Sequence, residues 1–288
     1  MSRLTPHLAQ QGFLTIAQNS DVDYLRLAYV QAMSVKGTMP NSRYAIIVDE
    51  ATMAEVTDRH RQVFDYIIQL PVDYAKSDKW KLANEWQVFD LTPFKETIKL
   101  ESDIVFTRSI DHWWTAFRPR DVVLSLGCRD HKGLLSQNRA YRQIFDDNNL
   151  PDTYNGLMYF RYSNAAYDFF DQARRVYANW DFIRDHVLKN CRDDQPTTDL
   201  VYAIVANNLG TENCTLPGCD FINFTHMKSS INQWPGTPWP DLVVHETDLP
   251  MVRINNVNQY HPLHYHEKSW VTDDIVEEYE RWTLTKNS

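Results

Sequence analysis

Phe13-Leu14-Thr15-Ile16-Ala17, the stretch from Asp21 to Lys36, and Tyr44-Ala45-Ile46-Ile47-Val48 decide how this chain folds. The first and third pieces are short, apolar and rich in β-branched residues, with little polar alternation. Apolar runs of that length read as strands buried on both faces. The piece between them places Tyr24, Leu25, Ala28, Tyr29 and Ala32 at helical spacing, and Gly37 follows as a helix end. The alternation then recurs. Asp58 to Tyr66 predicts a helix, Val63 to Leu70 a third apolar run, and Lys79 to Leu91 a helix. Thr97 to Phe106 reads as a strand interrupted by charges, and Asp121 to Leu126 as one more. This order predicts an α/β fold with a mostly parallel central sheet flanked by helices.

Composition bounds the remaining choices. The 288 residues are 43% hydrophobic and 23% charged, which excludes a disordered, collagenous or coiled-coil chain. Aromatics are frequent at 13%, but there are only 8 glycines and no G-x-G-x-x-G or G-K-[ST] string, so a glycine-rich phosphate loop is excluded. The net charge of −9 argues against a general nucleic-acid coat, and any such contact needs a local basic patch. Four cysteines, Cys128, Cys191, Cys214 and Cys219, are too sparse for a disulfide framework. They read as reduced thiols in a cytoplasmic protein, with a Cys214–Cys219 loop clip as the alternative. No apolar leader follows Met1 and no apolar stretch approaches ~18 residues, so no membrane association is expected.

No linker divides the chain. Pro235-Gly236-Thr237-Pro238-Trp239-Pro240 reads as a loop. We expect one domain over residues 1–270 and a C-terminal extension over 271–288. In the extension, Ile275, Val276 and Tyr279 interleave with acids between Asp273 and Glu280, the pattern of an amphipathic helix.

The chemistry concentrates at Glu101-Ser102-Asp103, at the end of an apolar strand. Residues i and i+2 of a strand share a face. Two carboxylates there repel unless a proton or cation lies between them, and such oxygen ligands suit Mg²⁺ or Mn²⁺. A solvated strand end is the plainer reading. Histidines cluster at His261, His264 and His266 beside Lys268 and Trp270. One imidazole would add to the Asp103 metal and favour Mn²⁺ over Mg²⁺. His264 is preferred because it follows an apolar residue. His266 is an alternative, and His226 with Lys228 is a rival pair. Trp86, Trp113 and Trp114 read as core before sugar platform. Between Arg118 and Arg142, six basic residues (Arg118, Arg120, Arg129, Lys132, Arg139, Arg142) face only Asp121 and Asp130, a net of +4. With His131 and Tyr141 this segment would suit an anionic acceptor such as DNA. A helix face balanced by acids elsewhere is the alternative.

The order of these pieces resembles the retaining nucleotide-sugar glycosyltransferases of the glycogenin and lipopolysaccharide-galactosyltransferase type. Lys81, Leu82 and Trp86, then Leu91 and Lys95, then Glu101-Ser102-Asp103 are similar to that family's K-L-x-x-W, L-x-x-x-x-K and D-x-D succession. One extra residue precedes Trp86, and Glu replaces the first Asp. Phe13 to Asn19 with Tyr24 resembles the first strand and nucleotide-contacting turn. Tyr154-Asn155-Gly156 resembles its F-N-S-G strand, and Asp194-Gln195 its D-Q element facing the sugar. Leu216-Pro217 with Asn223 resembles L-P-x-x-x-N. His264 to Trp270 resembles the closing H-x-x-G-x-x-K-P-W, without the Gly and with a shorter spacing. Asp23 to Tyr29, Arg61 to Tyr66 and Ile110 to Trp114 add a resemblance to uncharacterised tailed-bacteriophage members.

The resemblance implies a GT-A-type, Rossmann-like domain and a Mn²⁺- or Mg²⁺-dependent transfer, with retention, from a nucleoside diphosphate sugar, UDP-linked. Asp103, Glu101 and His264 would hold the metal. Ala17, Gln18, Tyr24, Lys81, Lys95 and Lys268 would meet the nucleotide or its phosphates. Asn155, Asp194 and Gln195 would act at the sugar. The phage resemblance implies hydroxymethylated DNA bases as an acceptor class, with the host cytoplasm as the setting. Two rivals are a sugar nucleotidyltransferase, whose Gly-rich basic loop Asn19 to Asp23 lacks, and a non-enzymatic carbohydrate-binding or structural phage module.

Overall fold

A computed structural model describes residues 7–76, 80–216, 222–234 and 238–287. Lys79, Pro217, Cys219 and Pro235-Gly236-Thr237, named above, lie outside the described residues. The chain opens with β1 (Ala9–Ala17), α1 (Tyr24–Thr38) and β2 (Tyr44–Val48). Two short helices, α2 (Glu50–Ala54) and α3 (Asp58–Val63), precede β3 (Tyr66–Gln69). A 3₁₀ segment over Lys81–Gln87 runs into α4 (Val88–Leu91), β4 (Phe94–Leu100) and β5 (Ile104–Val105). Then come α5 (His112–Phe117), β6 (Val122–Leu126), α6 (Gln143–Asp147) and β7 (Thr153–Arg161). Three helices follow: α7 (Asn164–Ala178), α8 (Trp180–His186) and α9 (Thr198–Leu209). The last part holds β8 (Thr225–His226), α10 (Ser229–Asn232), β9 (His245–Asp248) and β10 (Met251–Ile254). It ends with β11 (Val257–Asn258), β12 (Leu263–His264) and α11 (Asp273–Asn287).

The central sheet has six strands in the order β3-β2-β1-β4-β7-β6. β3, β2, β1 and β4 run parallel, and β7 is antiparallel to both β4 and β6. The fold is thus mixed α/β with helices on both faces. The apolar runs of β1 and β2 are strands covered on both faces, while β3 at the sheet edge is half-buried. Phe13, Tyr44, Ile46 and Ile98 meet α1 and α5 on one side. Leu14, Ala45, Ile47 and Phe160 meet α7 and α9 on the other. Trp113 and Trp114 are buried in the first core, and Trp86 packs beside Tyr74 at 5.5 Å.

Several local expectations change. The helix expected from Lys79 to Leu91 is, over its described residues, a 3₁₀ segment followed by one α turn. Gly37 lies inside α1, which runs on to Thr38. A Cβ there would stand 2.1 Å from the Trp282 ring, so the glycine admits α11 to the flank of α1. The run from Thr97 to Phe106 is not one strand: β4 stops at Leu100 and β5 belongs to another sheet. Glu101 and Asp103 therefore lie in the turn between two strands and do not share a strand face. The C-terminal helix docks on α1 through Tyr29 Oη to Glu280 at 2.9 Å and Arg26 to Asp273 at 2.7 Å, with Tyr279 buried. Cys128, Cys191 and Cys214 are free thiols.

Candidate active site

The carboxyl ends of β1 and β4 open into a pocket, the usual ligand position in sheets of this kind. What places Asp103 there is α1. Gln31 is fully buried, and its Nε2 donates to the Glu101 carbonyl at 2.5 Å and to the Ile104 carbonyl at 2.9 Å. Tyr44 Oη holds the amide oxygen of Gln31 in turn. The turn is thus clamped at both ends by one side chain. Beyond it, β5 pairs antiparallel with β12, and β12 pairs parallel with β8. In that register Ile104, His264 and His226 stand side by side. Buried Trp239, Tyr265 and Trp270 anchor the closing segment, and Trp239 Nε1 donates to the Tyr265 carbonyl at 2.6 Å.

The result is a charge cluster around one carboxylate. Asp103 Oδ2 lies 2.9 Å from His264 Nε2 and also accepts from Lys268 Nζ. Glu101 Oε2 is 3.4 Å from the same imidazole nitrogen. Burial alone would raise the Asp103 carboxyl, but His264 and Lys268 overcome it and hold Asp103 well below the ordinary carboxylate range. Burial opposes the charged forms of His264 and Lys268, yet Asp103 raises both above their ordinary values. Burial raises the Glu101 carboxyl, on which His264 and Asp103 act in opposite directions. Ligand atoms of Glu101, Asp103 and His264 lie within 4.8 Å of one another. Two carboxylates and an imidazole at that spacing fit a divalent cation.

The pocket has a volume of about 440 Å³. Gln18, Tyr24, Trp80 and Lys81 line one side of it, and Asn155, Thr198 and Asp199 another. The Asn155 side chain is buried, and neither its Oδ1 nor its Nδ2 has a hydrogen-bond partner. Its backbone N–H donates to Asp199 Oδ1 at 2.6 Å, while Asp199 Oδ2 accepts from Arg142 Nη1 at 2.9 Å. Arg142 is itself sandwiched, with its guanidinium carbon 3.6 Å from the Phe145 ring centre and 4.1 Å from that of Tyr154. Glu85 also lines the pocket, 2.5 Å from the fully buried Lys99 of β4.

Of the residues singled out in the sequence, Asp103, Glu101, His264 and Lys268 meet in one cluster. Gln18, Tyr24, Lys81 and Asn155 line the same pocket. His226 and His266, the alternatives to His264, are also there. Gln18 lies among amides and acids, accepting from Asn84 at 2.9 Å and donating to Asp49 at 3.2 Å. Lys81 Nζ donates to the Ala75 carbonyl at 2.9 Å.

Four residues are elsewhere. Ala17 is buried in the sheet and does not line the pocket. Lys95 is exposed at the opposite end of β4. It is six residues from Glu101, about 20 Å along a strand. Asp194 has a side chain 98% exposed and faces Arg184 at 3.7 Å, and Gln195 is also exposed. Neither caps a helix: α9 starts after Thr197, whose side chain accepts from the Leu200 N–H. The pocket takes Thr197, Thr198 and Asp199 from this stretch. The signal that could have found them is the Thr-Thr-Asp sequence itself, a helix start aimed at the strand ends.

Three of the six basic residues in the segment are engaged by carboxylates. Arg118 binds Glu96 at 3.0 Å, Arg139 binds Asp146 and Asp152, and Arg142 binds Asp152 and Asp199. His131 is buried against Asn232 at 2.8 Å, and Tyr141 Oη meets Tyr154 Oη at 2.6 Å. The net of +4 counted residues close in sequence, whereas the acids that meet Arg118, Arg139 and Arg142 come from outside the segment. No helix among the described residues is long and apolar enough to cross a membrane.

No family model matches this sequence, and no curated protein matches it. Among solved structures, the chain is similar to the galactosyltransferase LgtC in complex with donor and acceptor sugar analogs, at 10% identity and TM-score 0.48 over 95% of each chain. It is similar to apo mouse xyloside xylosyltransferase 1 at 10% identity and TM-score 0.47, over 80% of this chain and 95% of that one. It is also similar to the bifunctional WbbM glycosyltransferase at 12% identity and TM-score 0.47 over 75% of this chain, and it spans 40% of the WbbM chain.

Proposed function

We propose that this protein is a cation-dependent glycosyltransferase that moves a sugar from a nucleoside diphosphate, UDP in the first instance, to an acceptor hydroxyl. The observation that carries this reading is the meeting of Asp103, Glu101, His264 and Lys268 in one cluster beside a pocket at the strand ends. Asp103, Glu101 and His264 would hold a divalent cation such as Mn²⁺. That ion would supply countercharge to the diphosphate as the glycosidic bond breaks.

The rest falls to the chain's own groups. Tyr24 and Gln18 border the pocket where β1 ends and would flank the nucleotide. Lys268 would set a cation beside the departing diphosphate, where charge grows most in the transition state. Asn155 offers a donor and an acceptor with no internal partner, the pairing that a sugar's hydroxyls satisfy. Asp199 positions Asn155 through its backbone N–H. Each pocket carboxylate is engaged internally: Glu85 by Lys99, Asp103 by His264 and Lys268, Asp199 by Arg142, and Glu101 by the His264 imidazole. We therefore assign no general base. The acceptor hydroxyl would attack from the face the diphosphate leaves, with retention, and the leaving phosphate would take its proton.

Thermal melting with UDP, with and without Mn²⁺, tests the donor site. A ligand at a hundredfold excess over Kd stabilises by about 2.7 kcal/mol. The expected result is a UDP shift that needs Mn²⁺ and vanishes in Asp103→Ala. No shift with any nucleoside diphosphate would contradict the reading. Offering hydroxymethylated and unmodified DNA in a transfer assay tests the acceptor class implied by the phage resemblance.

A further inference from the structure

The family pattern supplies one closing histidine, whereas this chain gathers three. His226 on β8, His264 on β12 and His266 just beyond it have ligand atoms within 4.8 Å of one another. The His226 and His264 rings stack at 4.3 Å between centres, and the His266 ring stands nearly perpendicular to His226 at 5.4 Å. Two features resist a purely structural explanation. His226 is 7% exposed, yet its Nδ1 has no hydrogen-bond partner. A buried polar atom left unmatched costs free energy, and native interiors rarely keep one. His266 also adopts φ 63°, the left-handed region that a non-glycine residue seldom enters. Lys268 Nζ donates to the His266 carbonyl at 2.8 Å and ties that conformation to Asp103.

We propose that His226 and His266 join His264 as ligands, so that this chain carries an imidazole-rich cation seat selective for a borderline ion of the Co²⁺, Ni²⁺ or Zn²⁺ class over Mg²⁺. Imidazole nitrogen favours these ions, whereas Mg²⁺ prefers carboxylate and water oxygens. A tetrahedral cation with bonds of ~2.1 Å sets its donors about 3.4 Å apart, so the rings must turn toward one another to close the trio. The proposal deepens the cation-dependent reading above and rests on it only for the nucleotide's position.

The test uses metal-stripped full-length protein and no nucleotide. Co²⁺ is titrated by visible absorption, and Zn²⁺, Mn²⁺ and Mg²⁺ compete for it. The same titrations are run on His226→Gln and His266→Gly, the latter chosen because glycine accepts the backbone conformation at that position. Melting of each metal-free variant checks that it folds. Binding of Co²⁺ at least about 100-fold tighter than Mg²⁺ is expected, with each variant weakening Co²⁺ roughly tenfold or more and leaving Mg²⁺ within about threefold. Equal affinity for Mg²⁺ and Co²⁺, or Co²⁺ affinity unchanged in both folded variants, overturns the proposal. A UDP shift that persists alongside those results would leave the transferase reading standing. Tight Co²⁺ binding with no UDP effect would do the reverse.

Discussion

β4 and the turn after it carry two charge clusters four residues apart, and they are built to opposite ends. Lys99 is 0% exposed and has one partner, Glu85, whose side chain is 6% exposed. Asp103 is equally buried at 6%, but it serves two partners, His264 and Lys268, and Lys268 and Glu101 beside it are 29% and 32% exposed. A closed pair balances one charge with one charge and ties the 3₁₀ segment to the sheet. An open cluster keeps solvent-facing groups that a ligand can recruit. Burial alone does not separate these two clusters; the number of partners and the exposure of the flanking groups do.

The largest stability effect belongs to the closed pair. Lys99→Met leaves Glu85 buried without a partner and should cost about 3–5 kcal/mol in urea denaturation. Adding Glu85→Leu should recover most of that. A double variant as unstable as the single one would break the contrast. At the open cluster the effect moves from stability to function. Asp103→Ala should lower transfer about 100- to 1,000-fold while costing less than ~2 kcal/mol. Asp199→Asn lies between the two. Loss of the charge that holds Arg142 and the Asn155 N–H should cost about 1–3 kcal/mol and slow transfer roughly tenfold. The smallest effects test the corrected assignments. Lys95→Ala and Asp194→Ala should change stability by no more than about 0.5 kcal/mol and leave transfer within about twofold.

The strands were legible where both faces are covered. Tyr44 to Val48 is a strand over the same residues in sequence and structure because nothing polar interrupts it. Glu101 and Asp103 were legible as a pair, but their mounting was not. The clamp is Gln31, a polar residue on the buried side of α1, and its partners are backbone carbonyls on another element. Sequence also offered His226, His264 and His266 as rivals. Only the pairing of β8 with β12, strands far apart in the chain, makes them neighbours. Lys95 and Asp194-Gln195 misled because motif order carries no direction. Lys95 is on the right strand at its wrong end, and Asp194-Gln195 fall short of the helix start that reaches the pocket.

The most direct test of the central claim is release of nucleoside diphosphate from a panel of nucleotide sugars, followed with Mn²⁺ present and no acceptor added. Slow release from at least one donor, abolished by chelation and by Asp103→Ala, is the predicted result. Release that survives Asp103→Ala, or none from any donor by a protein that binds the free nucleoside diphosphate, would contradict it.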